Sequence, residues 1–388
     1  MGGGQRIMSI GKGAFGQSAK GSFIESAMGA RGWGGAPMVV LSGSGTTDRY
    51  LARLDPLTGA KAWEVALIAS AGKGAESLIF NSSYELFVQT RENIKRKSMS
   101  DASDQATYTT SSVDLGMGAI GTDIVHSGFA TALGAIQRRL TRELAVPYAW
   151  TYDAPNVNQN SSTTTDASGN SYYIRIDNTS STFTTQQIHR WALDANGNLL
   201  WAINQTTPYA PDGEAHQFQG QCEADGTYIY AISRSVNQTT FVATRRVFRF
   251  SKSDGSQVDS IATAYDGGIA GGSQILFLRR ANNFFYVPLN HTATIHSIAR
   301  VNLSMAELSK LDLGTRAVGV DVVASDSVGT GDVIVVGETS TTWPGSLGER
   351  ANCWRISSDL TTIRWGVQVG TAAFNGLYAV SSKKYQVT

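Results

Sequence analysis

The chain has 388 residues, 41 of them glycine and only 8 proline, and 16% are charged, well below the roughly 25% usual in soluble domains. A net charge of +1 gives no electrostatic basis for sequence-specific nucleic-acid binding or for an anionic membrane. No apolar run approaches the ~18 residues that span a bilayer, and two cysteines, Cys222 and Cys353, exclude a disulfide framework or a cysteine-rich zinc site.

The chain opens on a glycine-rich arm, residues 1–35. Arg6, Lys12, Lys20 and Arg31 stand against Glu25, a local charge of +3 (4 − 1). Isolated apolar residues, among them Ile7, Ile10, Phe15, Phe23, Ile24 and Trp33, are more than a solvated tail carries. The arm is therefore expected to order against a partner or against its own domain. Arg6, Ile10, Lys12, Phe15, Phe23 and Trp33 are its candidate partner-binding residues. No apolar signal region follows Met1, so synthesis in a cytoplasm without signal-directed export is expected. Gly11-Lys12-Gly13-Ala14-Phe15-Gly16 looks like a kinase glycine-rich loop, but neither an H-R-D nor a D-F-G follows. It reads as arm, not as a phosphate cradle.

From residue 36 the chain repeats. An arginine, then usually an apolar residue, then a small polar one occurs at Arg53, Arg96, Arg139, Arg190, Arg249, Arg300 and Arg355, in steps of 43, 43, 51, 59, 51 and 55 residues. The versions at Arg96-Lys97-Ser98 and Arg190-Trp191-Ala192 are the weaker ones. A tryptophan follows about ten residues later in four units, at Trp63, Trp150, Trp201 and Trp365. Between them lie turn signals such as Asp55-Pro56-Leu57-Thr58-Gly59 and Asp194-Ala195-Asn196-Gly197, whose Gly and Asn tolerate the positive φ of tight turns. Upstream come strand-like runs: Met38–Leu41, Leu86–Val88, Tyr172–Ile174, Tyr228–Tyr230, Phe284–Val287 and Val333–Val336. The third unit is poorest, with Ile124-Val125 or a stretch near Phe129. Ile136, Leu140 and Leu144 also fit helical spacing, but the repeat runs through them and favours a strand.

Four antiparallel strands per ~50 residues predict an all-β, seven-bladed β-propeller over residues 36–388, with a β-sandwich or β-helix as the competing arrangement. The strand at Gly376–Val380 is expected to complete the first blade and close the ring, which removes a free sheet edge. Tyr385-Gln386-Val387 has no place in that scheme. Arg53-Leu54-Asp55-Pro56-Leu57-Thr58-Gly59-Ala60-Lys61-Ala62-Trp63 and Gly331–Thr339 resemble the blades of quinoprotein-type seven-bladed propellers. The second and sixth units lack the tryptophan, and Val258 stands near its place in the fifth.

The resemblance invites a quinone-dependent enzyme, whose cofactor would lie over the axis with calcium. Cys222 and Cys353 cannot form the vicinal disulfide many such enzymes use, because they lie two units apart. The five histidines (His126, His189, His216, His291, His296) have no metal-type spacing. Asp212, Glu214 and His216 form the densest polar cluster and read as a solvated loop. No G-x-S-x-G is present, and the repeated arginine reads as a structural bond to a neighbouring blade's carbonyls or carboxylates. No catalytic, metal or cofactor residue is expected. The arm before the ring is similar to propeller-bearing tail proteins of short-tailed bacteriophages, nozzle or hub components. That likeness implies a non-enzymatic subunit of a virion, made in the host cytoplasm and associating with other subunits as a homo-oligomer. An envelope, periplasmic or extracellular propeller gripping peptide or glycan, and the quinone enzyme, remain the alternatives.

Overall fold

The computed structural model describes residues 38–43, 48–55, 58–68, 75–90, 93–110, 113–130, 134–152, 161–178, 185–208, 214–218, 222–237, 243–262, 279–281, 284–290, 296–302, 304, 306–312, 321–324, 332–338, 351–369 and 378–381. The fold is all-β and propeller-like, and seven antiparallel sheets follow one another along these residues. The first holds Met38–Gly43, Asp48–Leu54 and Lys61–Ile68, and the tail strand Tyr378–Ser381 joins it. The second runs through Ala75–Phe80, Leu86–Thr90, Asn93–Lys97 and Asp104–Thr109. The third contains Val113–Ile120, Asp123–Ala130, Gly134–Leu140 and Tyr148–Tyr152. In the fourth are Ser161–Thr165, Ser171–Asn178, Thr185–Leu193 and Leu199–Pro208. The fifth has Glu214–Phe218, Tyr228–Asn237, Ala243–Ser251 and Gln257–Ala262, with the short Glu223–Ala224 also paired to Tyr228–Asn237. Arg279–Ala281, Phe284–Asn290, His296–Asn302 and Glu307–Asp312 form the sixth, and Asp321–Ala324, Val333–Glu338, Ala351–Ile356 and Ile363–Gln368 the seventh.

Strand residues alternate between two faces, so a sheet can pack against a neighbour on each. The apolar core is accordingly split into clusters between successive sheets. Leu51 groups with Leu78, Phe80 and Leu86 between the first and second sheets. Tyr172, Ile188 and Ala192 group with Ala231 and Phe248 between the fourth and fifth. Ala52 and Leu54 of the first sheet group with Cys353 and Val369 of the seventh region. The tail strand also pairs with the first strand, Leu41 opposite Val380 and Gly43 opposite Tyr378. That is the pairing expected from the sequence.

Register gives the repeat a structural meaning. In the third strand of six sheets the ladder slips by one residue, at Arg53/Leu54, Arg96/Lys97, Ala192/Leu193, Arg249/Phe250, Arg300/Val301 and Arg355/Ile356. Arg53 and Arg355 face Trp63 and Trp365 across the ladder. Two details of the sequence repeat are corrected. In the third sheet Arg139 faces Tyr148, and Trp150 is opposite Gln137. In the fourth, Ala192 faces Trp201 and occupies the arginine's position; Arg190 sits two residues earlier, on the same face because strand periodicity is two.

The ambiguous third unit resolves as strands: Ile124-Val125 and Phe129 belong to one, and Ile136 and Leu140 to another. Leu144 lies beyond it in a tight turn at φ 62°. Residues 1–35 and Tyr385-Gln386-Val387 lie outside the described residues.

Candidate functional site

The turn between the third and fourth strands of each sheet is where neighbouring sheets are joined. Six of these turns carry a residue of positive φ: Gly59, Ala102, Leu144, Gly197, Gly255 and Leu360. The backbone N–H of each closes the turn onto the carbonyl of Asp55, Ser98, Thr141, Asp194, Ser251 or Ser357. The preceding sheet then binds the carbonyl of the turn's second residue. Arg53 Nη1 and Trp63 Nε1 both donate to Met99 O, at 3.0 and 2.7 Å. Arg139 donates to Ala195 O, Trp201 Nε1 to Lys252 O at 2.8 Å, and the Tyr286 hydroxyl to Ser358 O at 3.0 Å. Arg96 instead meets a carboxylate, Glu143 Oε2 at 3.1 Å, while Arg142 of that turn reaches back to Glu85 at 2.6 Å. Arg53, Arg96 and Arg139 thus make the inter-sheet bonds to carbonyls and carboxylates that the sequence suggests.

Packing at the same joint is reciprocal in size. A Cβ added to Gly255 would lie 2.4 Å from the Trp201 ring, one on Gly197 2.7 Å from Tyr148, and one on Gly59 2.8 Å from Trp365. These positions accept only glycine, on steric grounds as well as for their φ. Where the preceding sheet has Ala106 or Ser309 in the aromatic's position, the turn supplies Leu144 or Leu360, both buried. Leu144 shares its cluster with Ala106 and Tyr108, and Leu360 with Tyr286 and Ile298. The tryptophans missing from the second and sixth units are replaced from the opposite side of the joint.

A seam of buried polar groups crosses the third and fourth sheets. Trp191 stacks on Tyr173 with ring centroids 4.0 Å apart and donates to Gln137 Oε1 at 2.8 Å. Arg175 and His189 are cross-strand partners and both buried; His189 Nδ1 lies 2.6 Å from Asn204 Oδ1. His126 and Arg138 form the equivalent pair in the third sheet, and Arg138 donates to the Tyr108 hydroxyl at 2.6 Å. Arg190 is 2% exposed, donates to Gln205 Oε1 at 2.8 Å and lies 4.7 Å from the Phe250 ring centroid. Burial pulls its guanidinium down to about 10, and Asp254 opposes that shift. At neutral pH it is a cation directed at the fifth sheet. These groups cement sheets through hydrogen bonds and ring contacts.

The molecule's rim differs from its joints. Among the described residues, nearly every exposed large apolar residue lies at one of two adjacent positions just after the turn into the fourth strand: Val146, Leu199 and Leu200, Val258, Leu308 and Ile363, on the third to seventh sheets. Leu200, Val258 and Leu308 are the extra residues of the ladder slip. In the first two sheets the same place holds Lys61 and Ala62, or Asp104 and Gln105. A row of exposed aliphatics over consecutive sheets is the kind of surface proteins keep for contacts.

Arg6, Ile10, Lys12, Phe15, Phe23 and Trp33 lie outside the described residues, as do Asp212 and His291. His216 lies opposite Ser235 in the fifth sheet. Cys222 and Cys353 form no disulfide and are buried, and burial raises the Cys353 thiol. Among the described residues no three His, Cys, Asp or Glu side chains are grouped to hold a metal ion. Sequence reasoning missed the rim, although Leu200 follows the turn signal Asp194–Gly197. It also missed Arg138 and Arg175, which lie outside the repeated arginine position.

No family model matches the chain, and no curated protein matches it. Among solved structures it is similar to a mutant of Synechocystis apocarotenoid oxygenase, with TM-score 0.55 and 8% identity over 90% of this chain and 92% of that one. An ACO/RPE65 chimera gives TM-score 0.53 and 8% identity, covering 89% and 92%. The complex of KlAtg21 with the coiled-coil of AgAtg16 gives TM-score 0.53 and 9% identity, covering 86% and 100%. At such identities the likeness shows the fold alone, an all-β, propeller-like arrangement of four-stranded sheets.

Proposed function

We propose that the chain is a seven-bladed β-propeller, closed where Tyr378–Ser381 completes the first blade, that serves as a non-enzymatic interaction scaffold in a larger assembly. The observation that carries this reading is the row of exposed aliphatic residues from Val146 to Ile363 on consecutive sheets. Its rigid backing supports it: side-chain bonds to turn carbonyls hold the blades in fixed positions, so the row is presented without an ordering cost. A neighbour of the same fold, KlAtg21, was solved in complex with a coiled-coil, which agrees with a propeller used for protein contacts. The setting we propose is a bacteriophage virion, as a tail nozzle or hub component made in the host cytoplasm. It rests on the glycine-rich arm of residues 1–35 and on the resemblance noted for the sequence.

Light scattering on the purified chain, with and without residues 1–35, tests the reading. An oligomer that loses subunits when the arm is removed is expected; a stable monomer indifferent to the arm would contradict it. The fold likeness to an oxygenase, together with the quinoprotein resemblance of the sequence, favours a second reading, an enzyme, for which that resemblance implies a cofactor over the axis. Tight binding of quinone or calcium in calorimetry would establish that reading against the scaffold.

A further inference from the structure

We propose that the aliphatic row on the rim is the docking site for residues 1–35 of a second copy of this chain, an inference that rests on the assembly reading above. Two properties of the row match that segment. Its aliphatics Leu199, Leu200, Val258, Leu308 and Ile363 follow turns that carry Asp194, Asp254 and Asp359, while the basic residues at the same place, Lys252 and Arg364, are paired with Asp166 and Asp332. The arm alternates apolar residues (Ile7, Ile10, Phe15, Phe23, Ile24, Trp33) with four basic residues and one acidic. Apolar groups thus meet apolar groups, and cations meet anions, which fixes register and disfavours other partners.

The assembly reading selects a neighbour's arm over the chain's own, and the mixing experiment below separates the two. Residues 1–35 join the first sheet through Met38, which pairs with Leu54 at the end of the sheet that bears the turn. The most exposed members of the row, Leu200 and Leu308 at 50%, lie on the fourth and sixth sheets. Ile363, on the seventh sheet that packs against the first, is exposed only 39%. The most exposed sites therefore lie on other sheets than the one at the arm's root. A segment of 35 residues spans at most roughly 120 Å, ample to bridge two rings. Because donor and acceptor surfaces differ, the contact is heterologous and repeats from copy to copy.

Analytical ultracentrifugation of four samples tests this: the full chain, the chain lacking residues 1–35, the full chain with Leu200→Glu, Val258→Glu and Leu308→Glu together, and a mixture of the last two. Unchanged circular dichroism and melting temperature establish that each variant folds. The full chain is expected to be oligomeric and each variant monomeric. The mixture is expected to form a 1:1 complex, since one variant supplies the arm and the other the rim. A full chain that is oligomeric while the rim variant keeps the same mass overturns the docking site and leaves the assembly reading standing. A monomeric full chain overturns both.

Discussion

Two kinds of joint stand in contrast, beside a third in which Trp63 meets the turn of Ala102. At three joints an aromatic ring of one sheet lies on a glycine of the next: Trp365 on Gly59, Tyr148 on Gly197 and Trp201 on Gly255. At two others a small residue, Ala106 or Ser309, stands in the aromatic's place, and the next turn supplies a buried leucine, Leu144 or Leu360. At these five joints one bulky side chain fills the space, and the side that supplies it changes. Close-packed interiors impose this exchange, because either two bulky groups or two small ones would cost overpacking or a cavity.

The largest effect is expected where a ring already fills the joint. Gly255→Ala forces a Cβ within 2.4 Å of Trp201 at φ +73°. The left-handed backbone costs ~1–2 kcal/mol and the overpacking ~1–3 kcal/mol, so a loss of about 3 kcal/mol in denaturant unfolding is expected. Gly226→Ala, with nothing within 4 Å, should be near neutral by comparison. Equal effects at the two glycines would dissolve the distinction. Next comes Leu144→Gly. Losing a buried leucine costs ~2–5 kcal/mol, while relief of its positive φ returns ~1–2 kcal/mol, leaving a net loss of about 2 kcal/mol. Adding Ala106→Trp should recover part of that loss; a double-mutant cycle without coupling would count against reciprocal filling.

Turn carboxylates sharpen the same comparison through pH. Hydrogen bonds from the Ser357 hydroxyl and then from Thr361 hold Asp359 down at about 2. Asp194 is lowered chiefly by the Asn198 side chain, and Asp254 chiefly by the Ser256 backbone N–H. A carboxyl depressed in the folded state stabilises above its unfolded value near 3.9, and that stability is lost as pH falls through the folded value. Stability should therefore decline between about pH 4 and pH 2. Asp359→Asn should flatten that decline, as acid titration followed by circular dichroism would record. An unchanged acid profile would remove Asp359 from the account. The smallest effect concerns Cys353, whose thiol burial holds in the neutral form: it should resist a thiol reagent until the protein unfolds.

The four-stranded antiparallel sheets were legible because the same motif recurs along the chain. Arg53, Arg96, Arg139, Arg249, Arg300 and Arg355 mark one structural position, and the turn signals after them mark the joints. The fourth unit misled because a shift of two residues, from Ala192 to Arg190, preserves the face of a strand while breaking the spacing; Arg190 bonds Gln205 of its own sheet instead of the next turn. Leu144 looked helical because a buried leucine in a tight turn happens to follow Leu140 by four. The rim was harder to see. Leu200, Val258 and Leu308 are ordinary strand residues in sequence, and only the one-residue slip of the ladder makes them point outward. Function was least legible, since a residue repeated once per sheet serves packing and a contact surface carries no motif.

Closure of the ring by the two ends of the chain is the central claim, and one covalent test bears on it directly. With Leu41→Cys and Val380→Cys introduced at partnered positions of the first sheet, mild oxidation should form an intramolecular disulfide in the native monomeric unit and raise the melting temperature. Failure of the two cysteines to pair within one chain under native conditions, as read by mass spectrometry of non-reduced peptides, would contradict it.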